Sequence, residues 1–186
     1  MTLHDGPTIR RLDTLLDVDV EQLAAVLIDC VDGGASVSFM HPLPPARAAD
    51  FWRTLADEVA DGRRMLFVAC DTTGIVGTVQ LILNQPENQP HRADIAKMLV
   101  HRRARRRGIG YALMRAAEDG ARTAGKTLLV LDTVPGGEAE RLYVRLGWTF
   151  AGVIPEYALW PRGGLCSTSF YYRELTPSAD LKVRTG

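Results

Sequence analysis

The sequence predicts an α/β domain built on a mixed sheet with helices on both faces. Three observations predict it. Strand-like and helix-like segments follow one another in the order β-α-α-β-β-β-α-β-α-β-β, which one layered core buries economically. The length, 186 residues, fits one domain with one core. The composition, 46% hydrophobic and 24% charged, is that of a folded globular chain and excludes a disordered one. The expectation is a single domain over 1–186, its core about 8–175, with 176–186 as a flexible tail.

The elements follow in order. Thr8–Leu12 reads as a short first strand. Over 19–30, Val20, Leu23, Val26 and Leu27 recur at helical spacing, with Asp19 as N-cap. Gly33-Gly34 stops this helix, and 35–43 is a loop. Pro45 suits the first turn of a second helix over 46–60. Residues 65–70 and 75–83, joined by the turn 71–74, read as an antiparallel hairpin. Residues 92–100 form the next strand, with Ile95, Lys97 and Leu99 set against Ala96 and Met98. A helix over 111–124, a short apolar strand over 128–131, a helix over 137–146 and strands over 148–153 and 166–175 complete the order.

Charge and cysteine usage narrow the function. Lys plus Arg and Asp plus Glu both number 22, so there is no basic surplus of the kind a dedicated nucleic-acid binder shows. Cys30, Cys70 and Cys166 are odd in number and far apart, which is neither a disulfide framework nor a zinc site. They fit a reducing cytosol. No apolar run approaches a membrane span, and the N-terminus lacks the apolar core of a signal peptide. The four histidines are scattered, and no metal site is expected. The chain reads as cytoplasmic.

The most informative segment is Arg105-Arg106-Arg107-Gly108-Ile109-Gly110, between a strand and a helix. Its glycines let the backbone approach a ligand closely and present N–H groups in one direction. The start of the following helix adds its positive dipole end. Together these suit a pyrophosphate, and the arginines supply further donors. The competing readings are a solvated basic face on a tight turn, or phosphate contacts with nucleic acid.

Two other matches fail on mechanism. Residues 108–113 lack the third glycine of the dinucleotide fingerprint. Residues 120–127, Gly-Ala-Arg-Thr-Ala-Gly-Lys-Thr, satisfy the P-loop pattern letter for letter. A P-loop must follow a strand and open a helix, whereas this match ends a helix. Gly125 reads instead as a helix C-cap and Lys126 as a charge favoured at that terminus.

Residues 96–100, 105–110 and 139–147 (Ala-Glu-Arg-Leu-Tyr-Val-Arg-Leu-Gly) together resemble the GNAT acetyltransferase superfamily. With Gly33-Gly34-Ala35-Ser36-Val37, the chain is most similar to the tabtoxin-resistance type. The resemblance implies the GNAT fold, a mostly antiparallel sheet splayed between its fourth and fifth strands. It implies acetyl-CoA as co-substrate and an amine of a small molecule, an antimetabolite or antibiotic, as acceptor. Pantetheine would pair with Met98 and Val100, and a backbone N–H at Met98–Leu99 would polarise the thioester carbonyl. The pyrophosphate would sit on Arg105, Arg106, Arg107, Gly108, Ile109 and Gly110, with Tyr111 beside it. Members of the family often form homodimers.

Acetyl transfer needs a deprotonated amine, a polarised carbonyl, a stabilised thiolate and two substrates held together. Tyr143, at the family's tyrosine position, is the acid for the thiolate; it also reads as a core tyrosine on an amphipathic helix. Asp94 and Asp132, at adjacent strand ends, are candidates for taking the amine proton or binding a cationic amine. Each also reads as a strand or turn cap. The resembling proteins usually carry Glu where Asp94 stands, so the reach is one methylene shorter. Gly33, Ser36 and Phe39 on the first loop and Tyr157 and Trp160 before the last strand are the acceptor-pocket residues. A protein or peptide N-acetyltransferase and a silent acyl-CoA-binding module are the alternatives.

Overall fold

A computed structural model describes residues 7–176. The chain order is β1 (Thr8–Leu12), α1 (Asp17–Asp32), α2 (Pro45–Arg53), α3 (Ala56–Ala60), β2 (Arg64–Asp71), β3 (Gly74–Ile82), β4 (Arg92–Val100), α4 (Ile109–Thr123), β5 (Leu128–Thr133), α5 (Glu138–Arg145), β6 (Thr149–Leu159) and β7 (Leu165–Glu174). A 3-10 turn, Arg102–Ala104, precedes α4. Of the expected tail at 176–186, residues 177–186 lie outside the described residues.

Seven strands form one sheet in the order β1-β2-β3-β4-β5-β7-β6. Every neighbouring pair is antiparallel except β4 and β5, which run parallel. Their pairing covers only Arg92↔Leu128, Ala93↔Leu129 and Asp94↔Val130, and beyond it the two strands diverge. The mixed sheet, the helices on both faces and the splay between the fourth and fifth strands are those that the sequence predicts.

Each face carries its own core. On one, Leu113, Met114, Ala117 and Ala121 of α4 and Leu142 and Tyr143 of α5 pack with Phe67, Val79, Leu81, Leu129 and Leu131 of the sheet. On the other, Leu23, Val26, Leu27 and Trp52 of α1 and α2 pack with Leu66, Val68 and Leu99. One charge is buried with them. Glu118 of α4 is fully buried, and it accepts from Arg115 (3.0 Å) and from the Trp148 indole (3.2 Å). Arg173 of β7 lies 3.4 Å away. Burial without such partners would be costly; with them the carboxylate ties α4 to the last strands.

Local chemistry accounts for where the elements depart from the sequence reading. Asp19 is the third residue of α1 rather than its N-cap. From there its carboxylate accepts the backbone N–H of Leu16 at 3.3 Å. The helix expected over 46–60 breaks at Thr54–Leu55. The Thr54 hydroxyl donates to the Phe51 carbonyl (2.7 Å), and Leu55 N–H bonds three residues back, to Trp52 (3.1 Å). The last hairpin is longer than expected: β6 runs through Pro155 to Leu159, and it passes the proline at a bulge where its register with β7 shifts between Ile154 and Ala158. The segment expected as a loop around Tyr157 is therefore strand, and the loop itself is the turn 160–164.

Strand β4 departs most. Its register with β3 shifts between Thr78 and Gln80, and Lys97 adopts φ 47°. This bulge breaks the expected alternation, so Ile95 packs in one core and Leu99 in the other. Lys126 also differs: its ammonium donates to the carbonyls of Leu83 (3.1 Å) and Pro90 (2.7 Å) and so anchors the β3–β4 loop.

The P-loop look-alike ends α4, with Gly125 just beyond it at φ 72°. Gly120 serves packing. A Cβ there would lie 2.8 Å from Phe67 Cζ and 3.1 Å from Met65 Sδ. Gly120→Val is therefore expected to destabilise the fold by about 1–3 kcal/mol through overpacking. Urea unfolding checks this, and an unchanged midpoint refutes the packing role.

Candidate functional site

The divergence of β4 and β5 opens a groove of about 1190 Å³ through the sheet. Its walls are Ile95–Val100 of β4 and Leu131–Thr133 of β5. The turn before α4 and the first residues of α4 close one end. Residues 36–40 of the first loop and the β6–β7 hairpin line the other, and α5 lies along one side.

The arginine-rich turn is shaped by carboxylates. Asp29 of α1 accepts from Arg102 twice, from the backbone N–H at 2.8 Å and from Nε at 2.9 Å. Asp71, at the end of β2, accepts from Arg103 Nη1 at 2.7 Å and from the Thr73 hydroxyl and backbone N–H at 2.8 and 2.9 Å. These bonds, the Arg103 guanidinium first, hold the Asp71 carboxyl down to about 2. Arg105 Nε donates to the Val100 carbonyl at 3.1 Å. Much of this basic run is therefore internal bracing.

Past the bracing the backbone makes two left-handed turns, at Arg106 (φ 61°) and Gly108 (φ 77°), and Gly108 is the N-cap of α4. The first N–H groups of α4 have no helical carbonyl ahead of them. Gly108, Ile109, Gly110 and Tyr111 line the groove there, as do Arg105 and Arg106. Arg107 does not line it, and its guanidinium lies 4.0 Å from Asp71. Gly110 also lets α4 approach α5, since a Cβ would meet Leu142 Cδ2 at 3.0 Å.

Met98, Leu99 and Val100 line the groove from β4. The Val100 carbonyl already accepts from Arg105 and from Cys30 Sγ (3.6 Å). Tyr143 is buried, 4% exposed, yet lines the groove from α5. Burial, and secondarily the charge of Asp132, push its phenol well above the usual tyrosine value. It is held as the neutral phenol, whose O–H can donate a hydrogen bond into the groove. Asp132 lines the groove from β5, and its Oδ2 accepts the Thr168 hydroxyl at 2.8 Å.

Asp94 is not brought to the groove. It lies in the paired stretch of β4, where Arg92 holds one carboxylate oxygen at 2.9 Å and Gln85 donates to the other at 3.2 Å. Ser36, Phe39, Tyr157 and Trp160 line the groove on the side of the β6–β7 hairpin, whereas Gly33, where a Cβ would meet Arg102 Cδ at 3.2 Å, lines it beside the turn before α4. Ser36 Oγ donates to the Leu159 carbonyl at 2.9 Å, and His41 N–H to that of Pro161 at 2.8 Å. These bonds fasten the first loop to the hairpin as a roof.

Three groove residues escape the sequence reading. Cys166 sits with its Sγ 3.5 Å from Ser36 Oγ. Arg141 of α5 braces the loop before its own helix by donating to the Gly136 carbonyl at 2.9 Å. Lys97 enters the groove through the β4 bulge, a left-handed conformation that costs about 1–3 kcal/mol at a non-glycine residue. Its visible signal was a cation inside the apolar half of the strand, 95–100. Among the described residues no cluster of three or more His, Cys, Asp or Glu is placed to hold a metal ion, and no helix is long and apolar enough to cross a membrane.

The depressed Asp71 carboxyl gives a pH prediction. Its native value lies below the unfolded one, about 3.9. Its stabilisation is therefore complete above pH ~4 and lost as pH falls toward 2. The stability gap between the native protein and Asp71→Asn is expected to be constant above pH ~4 and to close between about 4 and 2. Urea unfolding across that range measures it, and a gap independent of pH refutes the pairing.

Known proteins share this fold. Residues 35–148 match the model of the Acetyltransferase (GNAT) family. The chain is 31% identical over 129 residues to an uncharacterised N-acetyltransferase of the hisH-hisA intergenic region of Azospirillum brasilense, covering 67% of this chain and 74% of that protein. An N-acetyltransferase from Staphylococcus aureus Mu50 superposes with a TM-score of 0.75 at 17% identity, covering 92% of this chain and 99% of that one. A candidate acetyltransferase of Salmonella typhimurium, solved with its cofactor acetyl-CoA, superposes at 0.74 with 18% identity, covering 94% and 96%. With the family model spanning well over half the sequence, the chain belongs to the GNAT family of acetyltransferases.

Proposed function

We propose that this single-domain protein transfers the acetyl group of acetyl-CoA to the amine of a small molecule by direct attack in a ternary complex. The observation that carries the reading is the groove itself. It runs from the left-handed turn at Gly108 to a protonated Tyr143 and a carboxylate at Asp132. The pyrophosphate of acetyl-CoA sits on the first N–H groups of α4, with Arg105 and Arg106 beside it. The pantetheine arm pairs with β4 at Met98, because the Val100 carbonyl is already engaged.

The residues then divide the chemistry. Asp132, directly or through a water, takes the proton from the acceptor amine. The amine nitrogen attacks the thioester carbon, forming the C–N bond, and a backbone N–H at Met98–Leu99 stabilises the developing oxyanion. As the C–S bond breaks, Tyr143 donates its phenolic proton to the departing thiolate. Asp94 takes no direct part, since Arg92 and Gln85 hold it away from the groove.

The roof over the acceptor end supports a small molecule over a protein substrate. The bonds from Ser36 to Leu159 and from His41 to Pro161 tie the first loop to the hairpin across that end and favour a compact acceptor over an extended peptide. The tabtoxin-resistance type is the narrower form of the reading, supported by Gly-Gly-Ala-Ser-Val at 33–37 under that roof. Three free cysteines suit a reducing cytoplasm. The edge strand β6 leaves Phe150, Val153 and Ile154 exposed, which favours a homodimer across that edge.

Calorimetric titration tests the donor site. Micromolar binding of acetyl-CoA, about −8 kcal/mol, is expected, with none of ATP·Mg²⁺. Gly108→Val strains the turn by about 1–2 kcal/mol and should weaken acetyl-CoA at least tenfold. Binding of ATP instead, or an unaffected Gly108→Val protein, refutes the site. Tyr143→Phe should lower kcat by about 10²-fold or more while acetyl-CoA affinity changes little; an unaltered turnover removes its role as acid.

A further inference from the structure

We propose that Lys97 sets acceptor specificity by binding a carboxylate carried on the same small molecule as the reacting amine. The inference rests on the acetyltransferase reading and adds to it a selecting residue and the charge pattern that this residue selects.

The backbone is left-handed at Lys97, beside the register shift of β4 against β3. Its neighbours from Ile95 to Val100 line the groove with it, and from the bulge, at φ 47°, Lys97 sends its ammonium to Ser38 on the first loop. Strain of this kind collects at functional positions, and the inference runs from the observed outlier to the role. The ammonium donates to a neutral hydroxyl, Ser38 Oγ, at 3.1 Å, and lies over the Phe51 ring, 5.7 Å from its centroid. Among the described residues no carboxylate lies within ion-pair distance of it (4.0 Å). An ammonium in a partly desolvated groove with only a hydroxyl and a ring face as partners is ready for an anion.

The other charged groups around it give the acceptor's polarity. Asp132 across the groove attracts the lysine, and Arg64, behind the strand, repels it. Arg64 is itself paired with Glu58 at 2.7 Å, so its charge is already answered. Burial, the larger effect, lowers the Lys97 ammonium from the usual lysine value, and an incoming carboxylate would reverse that loss. An acceptor with its amine at Asp132 and its carboxylate at Lys97 satisfies both charges. A polyamine or other purely cationic acceptor would instead meet like charge at Lys97. The remaining groove cations serve elsewhere: Arg105 and Arg106 flank the turn before α4, and Arg141 and Arg145 lie on α5.

The experiment uses the full chain, acetyl-CoA and matched acceptors: a panel of free amino acids and their methyl esters, which keep the amine and lose the negative charge. For the best acceptor the native enzyme should prefer the acid over its ester by at least tenfold in kcat/KM, the difference lying mainly in KM. In Lys97→Met that ratio should fall toward one, and in Lys97→Arg, which keeps the charge, the preference should persist. Equal use of acid and ester by the native enzyme, or a ratio unchanged in Lys97→Met, overturns the proposal. So does acetylation of no free acid in the panel. Calorimetry with acetyl-CoA then separates the two failures: retained binding leaves the acetyltransferase reading standing without a role for Lys97, and lost binding removes both. A Lys97→Met protein that fails to fold is replaced by Lys97→Gln, judged on the same ratio.

Discussion

Everything functional in this molecule depends on how briefly β4 and β5 pair. Three registers of parallel pairing, Arg92↔Leu128 to Asp94↔Val130, hold the sheet together. After them both strands continue without each other. Parallel strands of an ordinary sheet would close on all their backbone groups and leave no passage. Here β3 keeps one strand in place and β7 the other, so the gap costs no collapse of the fold. The hydrophobic cores on the two faces then act as splints on either side of an opening that the sheet itself does not fill.

The second constraint is electrostatic. Five arginines within 102–107 would repel one another and leave the turn shapeless if each faced solvent. Asp29 and Asp71, from elements far away in sequence, fix Arg102 and Arg103, and the Val100 carbonyl fixes Arg105. The turn is thus pre-organised from behind, and its outward face carries the remaining donors. Preorganisation of this sort lowers the ordering cost of binding a multiply charged ligand. It also explains why a run that resembles a nucleic-acid patch belongs to a chain of zero net charge.

The elements were legible in the sequence because apolar periodicity and turn chemistry agreed with each other. Gly33-Gly34, Pro45 and the turn 71–74 all punctuate where the residues say they should. The donor turn was legible for the same reason: glycine and arginine at a strand-to-helix junction have few other uses. What was not legible came from tertiary context. The bulge at Lys97 depends on the register of β4 against β3, so it inverts an alternation that the residues alone support. The withdrawal of Asp94 depends on Arg92 and Gln85 reaching the same carboxylate. The length of β6 depends on a bulge between Ile154 and Ala158, which takes Pro155 out of the ladder with β7.

The position of β7 in the sheet has a consequence for synthesis. It lies between β5 and β6, so the far edge of β5, and with it the Thr168 hydroxyl that orients Asp132, is supplied by residues 165–174. On the ribosome the half of the sheet from β1 to β4 can form early from near neighbours. The groove cannot exist until the late strand has emerged and threaded into place beside a strand made some forty residues before it, a slow, non-local step. Until then β5 is an open edge, exposed to other nascent chains. The charged ring around Glu118, closed by Arg173 of that same strand, then locks the late insertion against reversal.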